Sequence, residues 1–392
     1  MTTTINNKNK KANVPNLRFP EFQGEWEKCR LGDITENFNL RNKDKIQYPM
    51  FSVTNDRGFV PQSEQFEGRD MVGEDIKAYK IIHTNDFAYN PARINVGSIA
   101  MYTGEKPCMI SSLYVCFKTT KEVNNEWLMQ LLKTPKMNYY YNVNGEGGVR
   151  VYLFYPNFAR IRMSIPKIEE QKKIAKLLNL IDERIATQNK IIEDLKKLKS
   201  AIIEKLYSEI QGKEYSYRQL FDVVNERNKQ MEYSNILSAS QEKGMINRDD
   251  LNLDIQFERS NINTYKIVRA GDYVIHLRSF QGGFAFSDKS GVCSPAYTIL
   301  RPNSFLEYSY LSNYFTSQRF IKSLIIVTYG IRDGRSINVD EWLSMKITIP
   351  SKEHQQYIVK MIGSFDRKIE SEEAYTIHLS KQKQYILRQM FI

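Results

Sequence analysis

Apolar residues along the chain follow two different spacings. Several short runs alternate or cluster β-branched and aromatic residues, which predicts strands, and others have helical spacing. The predicted strands include "MFSVT", "YVCFKT", "YTILRP" and "MKITIP", and the predicted helices are "NEWLMQLLKT" and "EYSYLSNYFTSQRF". Glycine clusters such as "NGEGGVR" and "YGIRDGRS" mark loops between them. These parts are predicted to be mixed α/β domains.

A different spacing begins at Glu169 and continues to about Ile210, where apolar positions recur in alternating steps of four and three. Pro166 and the two glutamates after it predict the start of one long helix, and Gly212 predicts its end. The same pattern returns from Ile349, with Gln355 in the position that Gln171 has in the first copy. The predicted apolar seam of a coiled coil is Leu178, Ile181, Ile185, Ile192, Leu195, Ile202 and Leu206, then Ile362, Phe365, Ile369, Leu379, Ile386 and Met390.

The globular parts repeat as well, so the whole chain is a tandem duplication. "YKIIHTNDFAYNPARINVG" from Tyr79 matches "YKIVRAGDYVIHLRSFQGG" from Tyr265, at nearly the same offset as the helices. The predicted organisation is a disordered N-terminal tail at 1–14, a first domain at 15–165, a long helix at 166–211, a second domain at 212–349 and a second long helix at 350–392.

The polar residues within the seam bear on how the two helices pair. Gln188 recurs as Glu372, and Lys199 recurs as Lys383. An antiparallel pair is predicted to bring Glu372 near Lys199 and Lys383 near Gln188, whereas a parallel pair would set lysine against lysine. An antiparallel pair also needs the second domain only to turn the chain around. The predicted fold class is therefore α+β, with two mixed α/β domains in tandem, two long helices forming an antiparallel coiled coil, and a pseudo-twofold internal repeat.

The net charge of +11 favours a polyanionic partner, and nucleic acid is the commonest. We find no apolar run long enough to span a membrane and no secretory signal, so a cytoplasmic protein without a membrane segment is expected. Four cysteines lack CxxC spacing and are not grouped with the histidines, which argues against a zinc site and favours reduced thiols.

Candidate catalytic motifs are weak. "YNPAR" lacks the second proline and the aromatic residue of an adenine methyltransferase motif, and "GEGG" does not follow an apolar strand. The triplet Glu170-Gln171-Lys172 has the spacing of a nuclease motif, but its place on the long helix predicts a solvated helix face. The sequence therefore predicts no catalytic, cofactor-binding or metal-binding residues.

The opening "PNLRFPEF…WEKCRLGDI" (residues 15–34), the two helix starts and the tandem arrangement resemble the specificity subunits of type I restriction–modification systems. The resemblance covers nearly all of the chain. It implies that the two domains are target-recognition domains, each reading half of an asymmetric bipartite site on double-stranded DNA. It further implies that the helices set the spacer and dock two methyltransferase subunits, with restriction–translocation subunits joining. Catalysis, S-adenosylmethionine, ATP and Mg would then belong to those partners.

Candidate DNA contacts are the arginines, amides and hydroxyl on the loops that differ between the two copies, because Arg pairs with guanine and Asn or Gln with adenine. The base-reading candidates are Arg93, Asn95, Arg150, Arg278, Ser279, Gln281, Arg332 and Arg335. The phosphate-contacting candidates are Arg41, Arg57, Arg227 and Lys243. Ordinary surface ion pairs would use the same residue types.

Two other kinds of protein fit the same organisation. One is a non-enzymatic scaffold whose helices recruit proteins. The other is a solitary DNA-binding regulator with the same fold. Methylation of one gapped, asymmetric motif on co-expression with methyltransferase partners would separate them from a specificity subunit.

Overall fold

The computed structural model describes residues 13–65, 76–148, 151–240, 243–250, 259–276, 283–329 and 336–392. The chain divides into two compact units. Unit 1 comprises residues 1–187 and 375–392, and unit 2 comprises residues 188–374. Both boundaries fall inside long helices, so each unit contains one globular part and segments of both helices.

Unit 1 is built on a four-stranded antiparallel sheet in the order β2-β9-β6-β7, with antiparallel ribbons β1-β10, β3-β4 and β5-β8 beside it. Its strands are β1 (Glu27–Arg30), β2 (Thr35–Phe38), β3 (Phe51–Val53), β4 (Phe59–Pro61), β5 (Lys80–Ile82), β6 (Phe87–Tyr89), β7 (Ile99–Met101), β8 (Cys108–Ile110), β9 (Val115–Thr119) and β10 (Arg162–Ile165). Its helices are α1 (Leu31–Ile34), α2 (Gln62–Gln65), α3 (Asn125–Leu132), α4 (Pro135–Asn144) and α5 (Tyr155–Ala159), and the long helix α6 (Ile168–Ser208) follows.

Unit 2 repeats this topology. Its main sheet has the order β12-β19-β16-β17, and the ribbons β11-β22, β13-β14 and β15-β18 correspond one by one to those of unit 1. Its strands are β11 (Lys213–Ser216), β12 (Phe221–Val224), β13 (Leu237–Ser240), β14 (Gly244–Asn247), β15 (Lys266–Val268), β16 (Tyr273–Ile275), β17 (Phe284–Phe286), β18 (Gly291–Cys293), β19 (Thr298–Pro302), β20 (Thr328–Tyr329), β21 (Ser336–Ile337) and β22 (Lys346–Ile349). Its helices are α7 (Tyr217–Leu220), α8 (Gln318–Ser323) and α9 (Val339–Ser344), and the long helix α10 (Lys352–Met390) follows.

Each unit has its own aromatic core, and the end of a long helix closes it. In unit 1, Phe391, the residue that follows α10, lies 5.9 Å from Trp127, measured between ring centroids. In unit 2 the repeat-equivalent Tyr207 at the end of α6 lies 5.6 Å from Tyr310, and its hydroxyl donates to the Tyr310 carbonyl. Aromatic pairs of this kind contribute about 0.5–1.5 kcal/mol beyond the area that they bury.

A buried glutamine ties the start of each long helix to its own domain. Gln171 accepts from the Asn124 amide at 2.8 Å and donates to the carbonyls of Glu122 and Pro166 at 3.0 and 2.9 Å. Gln355 repeats all three bonds in unit 2, at 2.7, 3.0 and 3.1 Å, and its partners there are Glu307, Phe305 and Pro350. The duplication therefore preserves this anchor atom by atom.

Within each unit the helix segments pack antiparallel, as predicted. In unit 1 the Lys383 ammonium lies 2.6 Å from an Asp182 carboxylate oxygen, and Arg184 lies over the Tyr375 ring. All thirteen predicted seam residues are buried or partly buried.

The predicted polar pairings in the seam are wrong. In unit 2, Gln188 donates to Glu372, and the Lys199 ammonium lies 2.5 Å from a carboxylate oxygen of Asp366. The physical reason is the register of the two helices: Gln188 lies opposite Glu372, so Lys199, eleven residues further along α6, is about 16 Å along the axis from that level and pairs with Asp366 instead. Asp182 and Asp366 are themselves repeat partners, so the arrangement recurs in both units.

Two local predictions are also corrected. "EYSYLSNYFTSQRF" does not form one helix: residues 308–313 are turns and only the last part is helical, because Ser309 has a left-handed φ of +60° that ends a helix. Gly212 does not end α6, which stops at Ser208. A Cβ at Gly212 would lie 2.1 Å from the Ile349 carbonyl oxygen, so close approach of the backbone requires glycine there.

The N-terminal boundary of the first domain lies earlier than predicted. Asn13, assigned to the disordered tail, exchanges hydrogen bonds with the backbone of Trp26, and its side chain accepts from Ser164. Residues 1–12 lie outside the described residues. In the described part of the chain, neither the long helices nor the short ones carry an apolar stretch that could cross a membrane.

Candidate nucleic-acid interface

Six of the eight predicted base-reading residues lie outside the described residues. They are Arg150, Arg278, Ser279, Gln281, Arg332 and Arg335. The described candidates are Arg93 and Asn95, both in unit 1, and they lie together at one short turn. The geometry of the base-reading site can therefore be described in unit 1, at Arg93 and Asn95.

The turn that carries Arg93 and Asn95 is a 3₁₀ helix at Ile94–Val96, a few residues after strand β6. Gly97 closes it with φ of +104°, and a Cβ there would lie 2.9 Å from the Asn55 carbonyl oxygen, so only glycine fits. The Arg93 side chain is exposed, and the Asn95 amide donates to the Asn142 side chain at 3.0 Å. A rigid turn thus presents an exposed guanidinium and an amide held by one bond.

The segment after the glycine loop meets this turn. The Leu153 amide donates to the Pro91 carbonyl at 2.9 Å, and a cleft of about 770 Å³ lies between the two segments. Arg93 and Tyr152 both line it, and we call it the Arg93 cleft. Its further lining includes Asn95, Val151 and Phe154. The structure therefore brings together two loops that the sequence identified separately.

Apolar side chains around the Arg93 cleft were missed by the sequence reasoning. Leu113 is 77% exposed, Val96 is 55% exposed and Phe154 is 49% exposed. The Tyr152 and Phe154 rings are stacked, with centroids 6.3 Å apart. A thymine methyl group is recognised through apolar contact, so exposed apolar side chains beside hydrogen-bonding ones suit contact with the edge of a thymine base. The sequence signal that could have identified them is the pair Tyr152 and Phe154 just after the glycine cluster.

The four predicted phosphate contacts are exposed and form two repeat-equivalent pairs. Arg41 and Arg227 each form an isolated bridge to the strand that begins with Lys80 or Lys266. Arg57 and Lys243 lie at the turns of hairpins β3-β4 and β13-β14, where their amides donate to the hydroxyls of Thr54 at 3.0 Å and Ser240 at 3.3 Å. A projecting cation at the same place in each unit suits a backbone contact, which positions DNA without reading it.

The Glu170-Gln171-Lys172 triplet is not the solvated helix face that was predicted. Glu170 and Gln171 are both 1% exposed, and only Lys172 faces solvent, paired with Glu169 at 3.2 Å. Both buried residues are held by structural hydrogen bonds, which leaves no open carboxylate for a metal in this triplet. Across the described ranges, no group of three His, Cys, Asp or Glu side chains has the geometry to hold a metal ion.

Three of the four thiols are buried and that of Cys29 is partly buried, which indicates a structural role. Desolvation raises the pKa of Cys108, Cys116 and Cys293 to about 12, and that of Cys29 to about 11. A nucleophilic cysteine needs a lowered pKa, because the thiolate is the reactive form. Nothing in these four environments stabilises a thiolate enough to overcome desolvation.

Comparison with known proteins places the fold in a family. The family model described as "Type I restriction modification DNA specificity domain" matches twice, over residues 23–197 and 212–380, which together span most of the chain. The chain belongs to this family. It is a specificity subunit of a type I restriction–modification system, with two DNA-recognition domains.

Relatives match along nearly their whole lengths. The putative type I restriction enzyme MjaX specificity subunit of Methanocaldococcus jannaschii is 23% identical, with 96% of this chain and 95% of the relative covered. The MjaVIII specificity subunit of the same organism is 25% identical, with coverage of 95% and 92%.

Two solved structures share the fold. A chain from a study of complex assembly and conformational transition in a type I R-M system has a TM-score of 0.60 at 13% identity, covering 92% of this chain and 96% of that one. The S subunit from M. genitalium has a TM-score of 0.53 at 13% identity, with coverage of 97% and 99%.

The family matches and the compact units of this specificity subunit divide the chain differently. Each match begins in a globular part and ends in the long helix that follows it. Each unit instead takes segments of both long helices. A sequence repeat therefore consists of a globular part and the long helix that follows it, whereas a compact unit consists of a globular part and one segment from each long helix.

Proposed function

We propose that each unit of this specificity subunit reads one half of an asymmetric, bipartite target on double-stranded DNA. The observation that carries the proposal is one topology repeated in both units, with a different sequence in unit 2 at the stretch that corresponds to the Arg93 turn. "NPARINVG" in unit 1 corresponds to "HLRSFQGG" in unit 2, and the second stretch lies largely outside the described residues. Two scaffolds of one shape with different loops would read two different half-sites.

In unit 1, Arg93 is the principal base-reading residue. Its guanidinium is exposed, lies on a turn fixed by Gly97, and forms no ion pair with a described residue. Arginine donates two hydrogen bonds to the O6 and N7 atoms of guanine in the major groove, a contact worth about 1–3 kcal/mol of discrimination. Asn95 would contact a neighbouring adenine if its bond to Asn142 opened.

The long helices would set the unread spacer and dock two methyltransferase subunits, which restriction–translocation subunits then join. Exposed apolar residues on α10 support a docking role, since Tyr357 is 55% exposed, Ile377 56% and Tyr385 63%. On this proposal the chain is a non-catalytic, cytoplasmic subunit, and S-adenosylmethionine, ATP and Mg are bound by its partners.

The test is co-expression with cognate methyltransferase subunits followed by methylome sequencing. We expect methylation at a single gapped motif with unlike halves. Arg93→Ala should relax recognition at one position of one half-site and leave the other half unchanged. Arg160→Ala, a control that removes an exposed arginine of unit 1 outside the Arg93 cleft, should leave the motif intact. Loss of both half-sites by Arg93→Ala in a folded protein would contradict the division of labour.

A further inference from the structure

The ribbon β1-β10 of unit 1 carries like charges directly opposite one another. Arg30 pairs with Arg162 in the antiparallel register, and Lys28 lies two residues before Arg30 on the same face. Like charges across a strand pair destabilise a sheet. Neither Lys28 nor Arg162 forms an ion pair with any described residue, so the repulsion is unrelieved within the described part of unit 1.

A further cation completes the group. Lys136 lies in the first turn of α4, and it lines the same cleft of about 450 Å³ as Lys28, Arg30 and Arg162. The positive end of a helix dipole disfavours a cation at that position. Partial desolvation also lowers the pKa of Lys136, which adds to the cost of its charge.

The anions of the cleft do not balance these four cations. The side-chain carboxylate in its lining is that of Asp33, which already accepts from the Arg30 backbone amide at 2.7 Å. We call the face formed by Lys28, Arg30, Arg162 and Lys136 the basic ribbon.

Unit 2 shows that the fold itself does not need this charge. In the equivalent ribbon β11-β22, Glu214 and Ser216 stand where unit 1 has Lys28 and Arg30. There Lys346 pairs with Glu214 at 2.7 Å, and the nearby Arg218 pairs with Asp340 at 3.0 Å. At the three strand positions held by Lys28, Arg30 and Arg162 in unit 1, unit 2 thus has one ion pair and a serine.

Helix α4 connects the basic ribbon to the Arg93 cleft. Lys136 is at its start, and Asn142, the partner of Asn95, is six residues later, about 9 Å along the axis. The positions between and beside them carry Tyr139 and Val143, which are 63% and 60% exposed. The B-DNA major groove is about 12 Å wide, so the axial spacing from Lys136 of the basic ribbon to Asn142 is less than one groove width.

We propose that the basic ribbon binds the sugar–phosphate backbone that flanks the half-site read by unit 1. The proposal rests on the proposed function, since it needs the Arg93 cleft to face the groove. Phosphates would supply the negative charge that the ribbon lacks. Unit 1 would then contribute more of the sequence-independent affinity than unit 2.

The test measures DNA affinity against salt for the subunit in complex with its methyltransferase partners. Each neutralised phosphate contributes about 0.9 to the slope of log K against log salt. We expect the double variant Lys28→Gln, Arg162→Gln to lower the slope by about two, and affinity near 0.1 M salt by roughly 10- to 100-fold. Target and non-target DNA should lose affinity alike. The matched control Arg218→Gln, Lys346→Gln removes two cations from unit 2 and should leave the slope nearly unchanged.

Thermal unfolding of the same variants separates binding from folding. Removing unrelieved repulsion should keep or raise the melting temperature, whereas a structural role would lower it. An unchanged slope in the folded variant would overturn the proposal. If methyltransferase subunits also failed to co-purify, the ribbon would be a docking site for an acidic protein surface instead.

Failure of this proposal is distinguishable from failure of the proposed function. Arg93→Ala should reduce discrimination between target and non-target DNA with little change in slope. An unchanged slope in the ribbon variant beside lost discrimination in Arg93→Ala would overturn only the ribbon. A wild-type complex that does not discriminate would overturn the reading function, while the slope would still show whether the ribbon contacts phosphate.

Discussion

The two units share a sheet order but hold the start of their long helices differently. In unit 1, Glu170 is buried, receives two hydrogen bonds from Arg18 at 2.8 and 2.7 Å, and accepts another from the Trp26 indole at 3.2 Å. In unit 2 the repeat-equivalent residue is His354, which is exposed. Unit 1 therefore has a buried ion pair at the start of its long helix, and the equivalent position of unit 2 has an exposed histidine.

The difference follows from how the chain enters each unit. Strand β11 of unit 2 is joined to the end of α6 by a short covalent connection. Among the described residues before strand β1, no helix plays that part in unit 1. Instead residues 13–26, which we call the arm, dock on the fold, and the Leu17 amide donates to the Gln389 carbonyl of α10 at 2.9 Å. In unit 1 the arm is held to the end of α10 by hydrogen bonding, whereas in unit 2 the peptide chain itself joins the end of α6 to β11.

The largest effect that tests this comparison is loss of the arm's ion pair. Arg18→Ala leaves the Glu170 carboxylate, whose side chain is 2% exposed, without its cation. Removing one partner of a buried pair typically costs about 3–5 kcal/mol. His354→Ala should change the free energy of unfolding by less than about 0.5 kcal/mol. Urea unfolding of the full chain measures both.

An Arg18→Ala variant as stable as the wild type would show that the arm is not needed to hold unit 1. The double variant Arg18→Ala, Glu170→Gln supplies an internal check. Removing the stranded charge should recover part of the loss, because a neutral amide costs less to bury than a carboxylate.

A second, smaller effect tests what the units have in common. Gln171→Ala and Gln355→Ala each remove three hydrogen bonds from a buried anchor and leave backbone groups unsatisfied. We expect each to cost about 2–3 kcal/mol in its own unit, and the two costs to agree within about 1 kcal/mol. Gln382→Ala, at an exposed position of α10, is the control.

Unequal costs at the two glutamines would mean that the duplicated bonds no longer carry equal weight. The measurement is again denaturant unfolding, with limited proteolysis to identify which unit opens first. A larger loss of stability in Gln171→Ala than in Gln355→Ala would point to the neighbouring Glu170, which is buried and hydrogen-bonded in unit 1 and replaced by the exposed His354 in unit 2.

The sequence predicted the duplication and the long helices well, because both depend on spacing that survives divergence. Apolar periodicity along α6 and the matched Gln171 and Gln355 are visible without coordinates. Antiparallel packing also followed, from the polar seam and the short return path. These features belong to the backbone pattern, which a sequence encodes locally.

Side-chain partners were not predictable in the same way. Lys199 was assigned to the seam, yet its ammonium reaches a flanking carboxylate, and Glu170 looked solvated although an arm from the far N-terminal part of the chain covers it. The Arg93 cleft forms where a turn at Arg93 meets a segment at Tyr152. Contacts between distant stretches depend on tertiary folding, and periodicity carries no information about them.

The smallest expected effects lie in the helix pairs, where the units are most alike. The side chains of Lys199 and Asp366 are 21% and 43% exposed, and those of Lys383 and Asp182 are 20% and 42% exposed. Pairs this exposed are screened by solvent, so double-mutant cycles should give coupling energies below about 1 kcal/mol in each unit, weaker at high salt.

One asymmetry should still appear: Asp182 also accepts from the Gln130 side chain at 2.9 Å, which ties its helix to α3. Asp182→Ala should therefore destabilise unit 1 by about 0.5–1 kcal/mol more than Asp366→Ala destabilises unit 2. Equal losses would mean that the Gln130 bond adds nothing, and that the two helix pairs are energetically the same despite the different domains beside them.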